Sequence, residues 1–198
     1  MNYGADMEQG PRVRASIEQV AAGGHPVRRR LLEVLGVDGP ATASQLAERT
    51  GQLVGNVSHH LKMLARAGLV EEAPELAKDR RERWWRHVPL SLSWSLADVR
   101  GDPIGEAVAV AAEHENLEHH ARRVHGWMAA RDGSDVYDED WTQAAFSTES
   151  WVWATPEELD ELGEAINALV VEFHRSHREP APGRESCFVF AHGVPSKP

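Results

Sequence analysis

The sequence predicts a mainly α-helical protein with a small β component, and three observations support this. Apolar residues recur every three or four positions in several stretches, as they do along the buried face of a helix. Proline, serine or threonine precedes most of these stretches and glycine follows them, which is typical of helix starts and stops. Only a few short runs carry the aromatic and β-branched residues that favour strands.

Length and composition are those of a soluble globular protein. The chain has 198 residues, of which 41% are hydrophobic and 26% charged, so it can bury a core without disulfides or a structural metal. It has no run of 18 apolar residues and no apolar leader, so we expect neither a membrane partner nor secretion. Its single cysteine, Cys187, excludes an internal disulfide. We therefore expect a cytoplasmic protein.

The charge is distributed unevenly along the chain. The net charge of −10, taken alone, argues against a nucleic-acid partner, because phosphates repel an acidic surface. Residues 11–90, however, carry 13 Lys and Arg against 9 Asp and Glu, whereas residues 91–198 carry 8 against 20. This change of sign predicts two parts with different partners.

The first part reads as helices followed by a two-stranded ribbon. Residues 1–12 are predicted to be a flexible tail and residues 13–95 a domain. Helical spacing covers the segments 17–21, 27–35, 42–50 and about 54–67, with a capping box formed by Thr42 and Gln45 and glycines at the helix ends. A strand then starts at Leu69, and a charged loop, about 74–83, leads to a returning strand at 84–88. This is the element order of a winged helix.

Residues 42–70 carry the pattern of a DNA-reading helix-turn-helix. Ala47 is the small residue where the two helices cross, and Gly51 supplies the tight turn. Val57, Leu61 and Leu64 form the buried stripe of the second helix, and we expect His60, beside that stripe, to be packed. The opposite face is small, hydrogen-bonding or cationic, which suits phosphates and base edges: Gly55, Asn56, Ser58, His59, Lys62 and Arg66.

With the segments HPVRRRLLEVL, LAERTG and VSHHLKMLARAGLVEE, the chain resembles the winged-helix regulators of the arsenic-repressor (ArsR-like) superfamily over about residues 22–90. The resemblance implies a homodimeric transcription factor, usually a repressor, that reads an inverted repeat in double-stranded DNA. The chain departs from the family at Gln52-Leu53-Val54. The family usually has an apolar residue directly after the glycine and a Ser or Thr opening the second helix.

The resemblance also implies roles for individual residues. Asn56 and His59 would face bases with Gln52 nearby, Ser58 and Lys62 would hold phosphates, and Arg28 would reach the DNA backbone. Arg66 adds a further cation to the outward face. The predicted wing would contact phosphates or the minor groove, although its charges are also compatible with a solvated loop. Its cationic residues are Lys78, Arg80, Arg81 and Arg83.

Residues 96–198 are predicted to be a dimerisation and possible effector region. A long helix at 103–131 has an apolar stripe longer than one winged domain can cover. Beyond it, the pattern predicts a strand–helix–strand element over 145–193, which makes this region a small α+β unit. Its aromatic residues line a ligand pocket or fill a small core, and we favour the core; the sequence identifies no effector. They are Trp141, Phe146, Trp151, Trp153 and Phe173.

Metal and catalytic chemistry find weaker support. His114, Glu118 and His125 share one face of the long helix and are candidate zinc or nickel ligands. They resemble half of the metal motif of metal-sensing superfamily members, but Ala112 and Met128 stand at the two other ligand positions, so we favour no metal cofactor. Because no nucleophile, P-loop or dinucleotide-binding pattern occurs, we expect no enzyme. The alternatives are a metal- or small-molecule-responsive sensor of the same fold and a winged-helix protein-interaction module without DNA binding.

Overall fold

A computed structural model describes residues 12–79, 82–89, 91–133, 136–177 and 180–197. The chain divides after residue 117 into two compact units. The described residues are mostly helical, with a three-stranded and a two-stranded sheet. The predicted fold class, mainly α with a small winged-helix β component, is confirmed.

The winged-helix part of the first unit contains four helices whose ends follow the sequence signals. They are α1 (Ile17–Gly23), α2 (Pro26–Val37), α3 (Ala43–Thr50) and α4 (Val54–Arg66). The Thr42 side chain caps α3, and the Gln45 side chain closes the predicted capping box. Gly51 ends α3 at φ 67°, a left-handed conformation that glycine adopts without a side-chain clash.

The winged sheet is antiparallel, with strand order β2-β4-β3. It contains β2 (Ala41–Thr42), β3 (Val70–Glu72) and β4 (Trp84–His87), and a 3-10 turn at Pro74–Leu76 lies between the last two. Two further strands, β1 (Arg12–Arg14) and β5 (Ser91–Ser93), pair in parallel and were not predicted. Arg12, placed at the end of the flexible tail, thus lies in a strand, and residues 1–11 fall outside the described ranges.

The core of the first unit lies between the helices and the winged sheet. Leu31 and Leu35 of α2, Leu46 of α3, and Leu61 of α4 are fully buried, and Trp85 of β4 closes the cluster. Because α4 contributes its whole apolar stripe to this cluster, its opposite face is left to solvent. A single buried stripe therefore fixes the orientation of the helix.

Three helices dominate the rest of the chain. They are α5 (Pro103–Gly133), which crosses the unit boundary, α6 (Glu139–Ala144) and α7 (Pro156–Ser176). Helix α5 matches the predicted long helix at 103–131, and Thr155 caps α7 with a capping box completed by Glu158. Over the described ranges, none of the helices combines the length and the hydropathy that crossing a bilayer requires.

The predicted strands at 145–154 and 187–190 are wrong, and so is the strand–helix–strand element over 145–193. Both segments are irregular, and α7 lies between them. Aromatic and β-branched residues favour a strand when a neighbouring strand supplies hydrogen bonds and side-chain contacts. In the described part of the second unit, neither segment has such a partner.

The preference for an aromatic core is also wrong. Phe146, Trp151, Trp153 and Phe173 are between 65% and 104% exposed, and Trp141 is half-buried. Among the described residues, these rings therefore enclose no core. The apolar stripe of α7 instead forms an open groove with the segment 189–193.

Candidate nucleic-acid interface

The turn between α3 and α4 sets the geometry of the candidate site. The backbone amide of Gln52, directly after the left-handed Gly51, donates to the Ala47 carbonyl at 3.0 Å. Ala47 is 5% exposed, and Val57, Leu61 and Leu64 are fully buried. The small crossing residue, the turn glycine and the stripe thus occupy the places that the sequence predicts.

The predicted contact residues of α4 lie on its solvent side. Asn56, His59, Lys62 and Arg66 are exposed, and Ser58 is half-buried. No acidic side chain in the described ranges pairs with Lys62 or Arg66. This face therefore offers two cations together with neutral hydrogen-bonding groups, a combination suited to phosphates and base edges.

Among the described wing residues, Arg83 pairs its guanidinium with an acid, whereas Lys78 contacts an acid through its backbone. Arg83 Nη1 donates to Glu72 Oε1 at 3.3 Å, and the exposed Lys78 donates its backbone amide to the Glu82 carboxylate at 2.8 Å. Two other predicted contacts, Arg80 and Arg81, lie outside the described residues. Such exposed pairs contribute little free energy, so a phosphate can replace the carboxylate partner of Arg83.

Arg86 was missed by the sequence analysis. Its Nε lies 2.8 Å from Glu71 Oε1 and its Nη1 lies 2.7 Å from Glu75 Oε1. The guanidinium thus joins β3, β4 and the 3-10 turn at the base of the wing. The contact with Glu71 follows from the pairing of residues 71 and 86 across β3 and β4. That pairing can be predicted only when the strand register is known.

Arg28 has a structural environment. Its Nε donates to the Ala22 carbonyl at 2.6 Å and its Nη2 to the Ala21 carbonyl at 2.7 Å. It thereby supplies donors to carbonyls at the end of α1, which lack partners within the helix. Contact between Arg28 and a DNA backbone remains a prediction, and the guanidinium has three further N–H donors beyond these two hydrogen bonds.

Two histidine rings contact each other on the inner side of α4. His60 is buried, as predicted, and its ring centroid lies 4.9 Å from that of His25, which precedes α2. The Nδ1 atoms of both rings are buried and have no hydrogen-bond partner among the described residues. The separation of 35 positions in sequence gives no sign of this pair.

Burial is the main reason why the pKa of both histidines lies below the ordinary value. The pKa of His60 is lowered further by the positive charges that would develop on His25 and His59 and by Arg28. Arg28 also lowers the pKa of His25, whereas Glu115 opposes this shift. Both rings are therefore expected to be neutral near pH 7.

Acid is expected to destabilise the first unit through this pair. Because the folded-state pKa of both rings is depressed, the unfolded chain takes up protons first as pH falls through about 6.5. The stability that neutral rings provide is complete above that value and declines below it. The urea midpoint should therefore fall between about pH 7.5 and about pH 5.5, and less steeply in His60→Leu. Equal pH dependence in the two proteins would contradict this assignment.

The candidate metal ligands show no cluster. His114, Glu118 and His125 are exposed, and His114 Nδ1 lies 3.1 Å from the Val110 carbonyl of its own helix. No three His, Cys, Asp or Glu side chains in the described ranges are grouped to hold a metal ion. A histidine pair that the sequence did not indicate, His120 Nδ1 and His192 Nε2, lies 3.1 Å apart in the second unit. The expectation that the chain has no zinc or nickel cofactor stays untested.

Comparison with known families supports the helix-turn-helix assignment. Residues 24–73 match a family model described as a helix-turn-helix domain, and this range contains α2, α3, α4 and β3. No curated protein is significantly similar to the chain. The family match thus covers the candidate contact face of α4 and stops before β4.

Solved structures give weaker similarities. A possible transcriptional regulator for arsenical resistance is 26% identical, with 67% of this chain and 98% of that chain covered and a TM-score of 0.31. A MarR-family regulator from Neisseria meningitidis is 22% identical, with 72% and 76% covered and a TM-score of 0.32. These low TM-scores give no information about function, whereas the family match and the exposed face of α4 do.

Proposed function

We propose that the protein is a sequence-specific DNA-binding transcriptional regulator, a homodimer that represses genes by occupying an inverted-repeat operator. The observation that carries the proposal is the solvent face of α4, where Asn56, His59, Lys62 and Arg66 stand opposite a fully buried stripe. A helix held in this way can enter the major groove with hydrogen-bonding groups and cations outward. The wing would then lie on the backbone or in the minor groove.

Exposed apolar residues on α5 support the homodimer. Leu117 is 56% exposed, Val124 40% and Met128 44%, and their spacing of seven and four residues places them on one face of the helix. Apolar side chains repeated along a helix are normally buried against another element. A second copy of α5 would cover them, and a twofold dimer would present two copies of α4 to an inverted repeat.

The charge distribution fits this proposal. The surplus of basic residues lies within 11–90, which include α4 and the wing, whereas residues 91–198 carry 20 acids against 8 bases. The acidic part would disfavour DNA contacts outside the basic region, since it repels phosphates. The overall charge of −10 is thus compatible with a DNA partner that only one region contacts.

Selection of bound fragments from the genome of the source organism tests the proposal. We expect enrichment of fragments that share an inverted repeat, and an association constant that falls linearly with salt on logarithmic axes. Light scattering should give twice the chain mass of 21.9 kDa. If no duplex binds even at low salt, the protein is an interaction module rather than a DNA-binding regulator.

Gly55 provides a test in which stability and function separate. A Cβ added at this position would meet nothing within 4 Å, and alanine favours a helix over glycine, so Gly55→Ala should stabilise α4 by about 0.5 kcal/mol. The same methyl would hinder close approach of the groove to the helix, so operator affinity should fall. Thermal unfolding and an operator titration measure the two effects. Higher stability with unchanged affinity would show that DNA does not approach this position.

A further inference from the structure

Two exposed apolar side chains stand at the start of α4. Leu53 is 81% exposed and Val54 46% exposed. Leu53 occupies the N-cap position and makes no side-chain cap hydrogen bond, whereas Ser, Thr, Asp or Asn there would stabilise the helix. Helix α4 therefore lacks a side-chain cap and exposes a leucine to solvent. Both features lie at the helix end that the proposed function directs towards DNA.

The neighbours of this apolar pair are amides. Asn56 Nδ2 donates to Gln52 Oε1 at 2.9 Å, which links residues on either side of Leu53 and Val54. With this hydrogen bond formed, the side-chain NH2 group of Gln52 can still donate and Asn56 Oδ1 can still accept. A donor and an acceptor in this pairing match the N7 and N6 groups on the major-groove edge of adenine.

The apolar side chains and the adjacent amides together match the major-groove edge of an adenine–thymine base pair. In the major groove an adenine–thymine pair presents the adenine N7 and N6 groups and, at its other end, the C5-methyl group of thymine. We propose that Leu53 and Val54 determine operator specificity by packing on thymine C5-methyl groups next to adenines read by Gln52 and Asn56. This inference rests on the proposed function and adds two residues to its contact face.

Deoxyuridine substitution tests the inference directly. Replacing thymidine by deoxyuridine in a selected operator removes one methyl group and leaves base pairing intact. At one or more positions in each half-site, wild-type affinity should fall about fourfold, the value of one buried methyl group. Leu53→Ala should bind the thymidine operator more weakly by a similar factor and should respond less to deoxyuridine, because the two changes remove the same contact.

Two variants separate this contact from general effects. Leu53→Ser restores a capping side chain, so it should remain folded while losing the response to deoxyuridine. Val37→Ala removes an apolar side chain that is 59% exposed at the end of α2 and should keep the wild-type response.

The failures of the two proposals are distinguishable. Operator binding that is equally sensitive to deoxyuridine in wild type and Leu53→Ala overturns the inference alone, as does binding insensitive at every thymine. Absence of duplex binding by the wild-type protein overturns the proposed function and this inference together.

Discussion

Replacing Leu61 with alanine is expected to lower the free energy of unfolding of the first unit by about 2–5 kcal/mol. Leu61 is fully buried at the centre of the stripe that holds α4 in the core. The substitution removes apolar contacts and leaves a cavity that neighbours from three other elements cannot fully close. Urea unfolding followed by circular dichroism measures the loss, and hydrogen exchange of the α4 amides shows where it occurs.

A matched control lies at the start of the same helix. Leu53→Ala is the same chemical change at a side chain that is 81% exposed, so its effect on stability should stay within about 0.5 kcal/mol. Similar losses in both variants would mean that α4 is not anchored by the stripe. A large loss in Leu61→Ala alone supports the core described here.

Reversing two charges on α4 is expected to remove operator binding. Lys62→Glu combined with Arg66→Glu eliminates two cations per chain, and four in a dimer, from the face that we assign to DNA. If each cation contacts one phosphate, the slope of log K against log salt should fall in magnitude by about 3 to 4. At about 0.1 M salt, the corresponding loss of affinity is at least about a thousandfold.

The control for net charge lies outside the helix-turn-helix. Arg175→Glu with Arg184→Glu changes the total charge by the same amount at positions in the second unit. This variant should bind the operator within about tenfold of wild type, because the two arginines are not part of the face that we assign to DNA. Equal losses in the two double variants would show that total charge, rather than α4, governs binding.

The helix-turn-helix could be predicted because local signals and the buried stripe agree. Thr42, Gln45 and Gly51 determine the ends of α3 through their own hydrogen bonds and backbone conformation. The spacing of Val57, Leu61 and Leu64 then identifies the inner face of α4, and the outer face follows from geometry. For the same reason, the exposed residues of α4 that we predict to contact DNA could be identified without knowledge of the tertiary structure.

The remaining features depend on contacts between distant residues. The stretch around Trp151 and Trp153 has strand-forming residues, but no partner strand in the described part of the unit gives it a ladder. His25 and His60 meet only after α2 and α4 have packed. The double contact of Arg86 requires both the strand register and the turn that follows β3.

Acidic side chains at the base of the wing neutralise part of its positive charge. Glu71 and Glu75 flank Arg86, and Glu72 lies beside Arg83. In the complex that we propose, an arginine that already has a carboxylate neighbour would exchange that neighbour for a phosphate, so its binding would release a cation from the DNA while freeing an acid that recruits one. The wing would then add geometric restriction with little gain in nonspecific attraction, which would let the protein leave incorrect sites quickly.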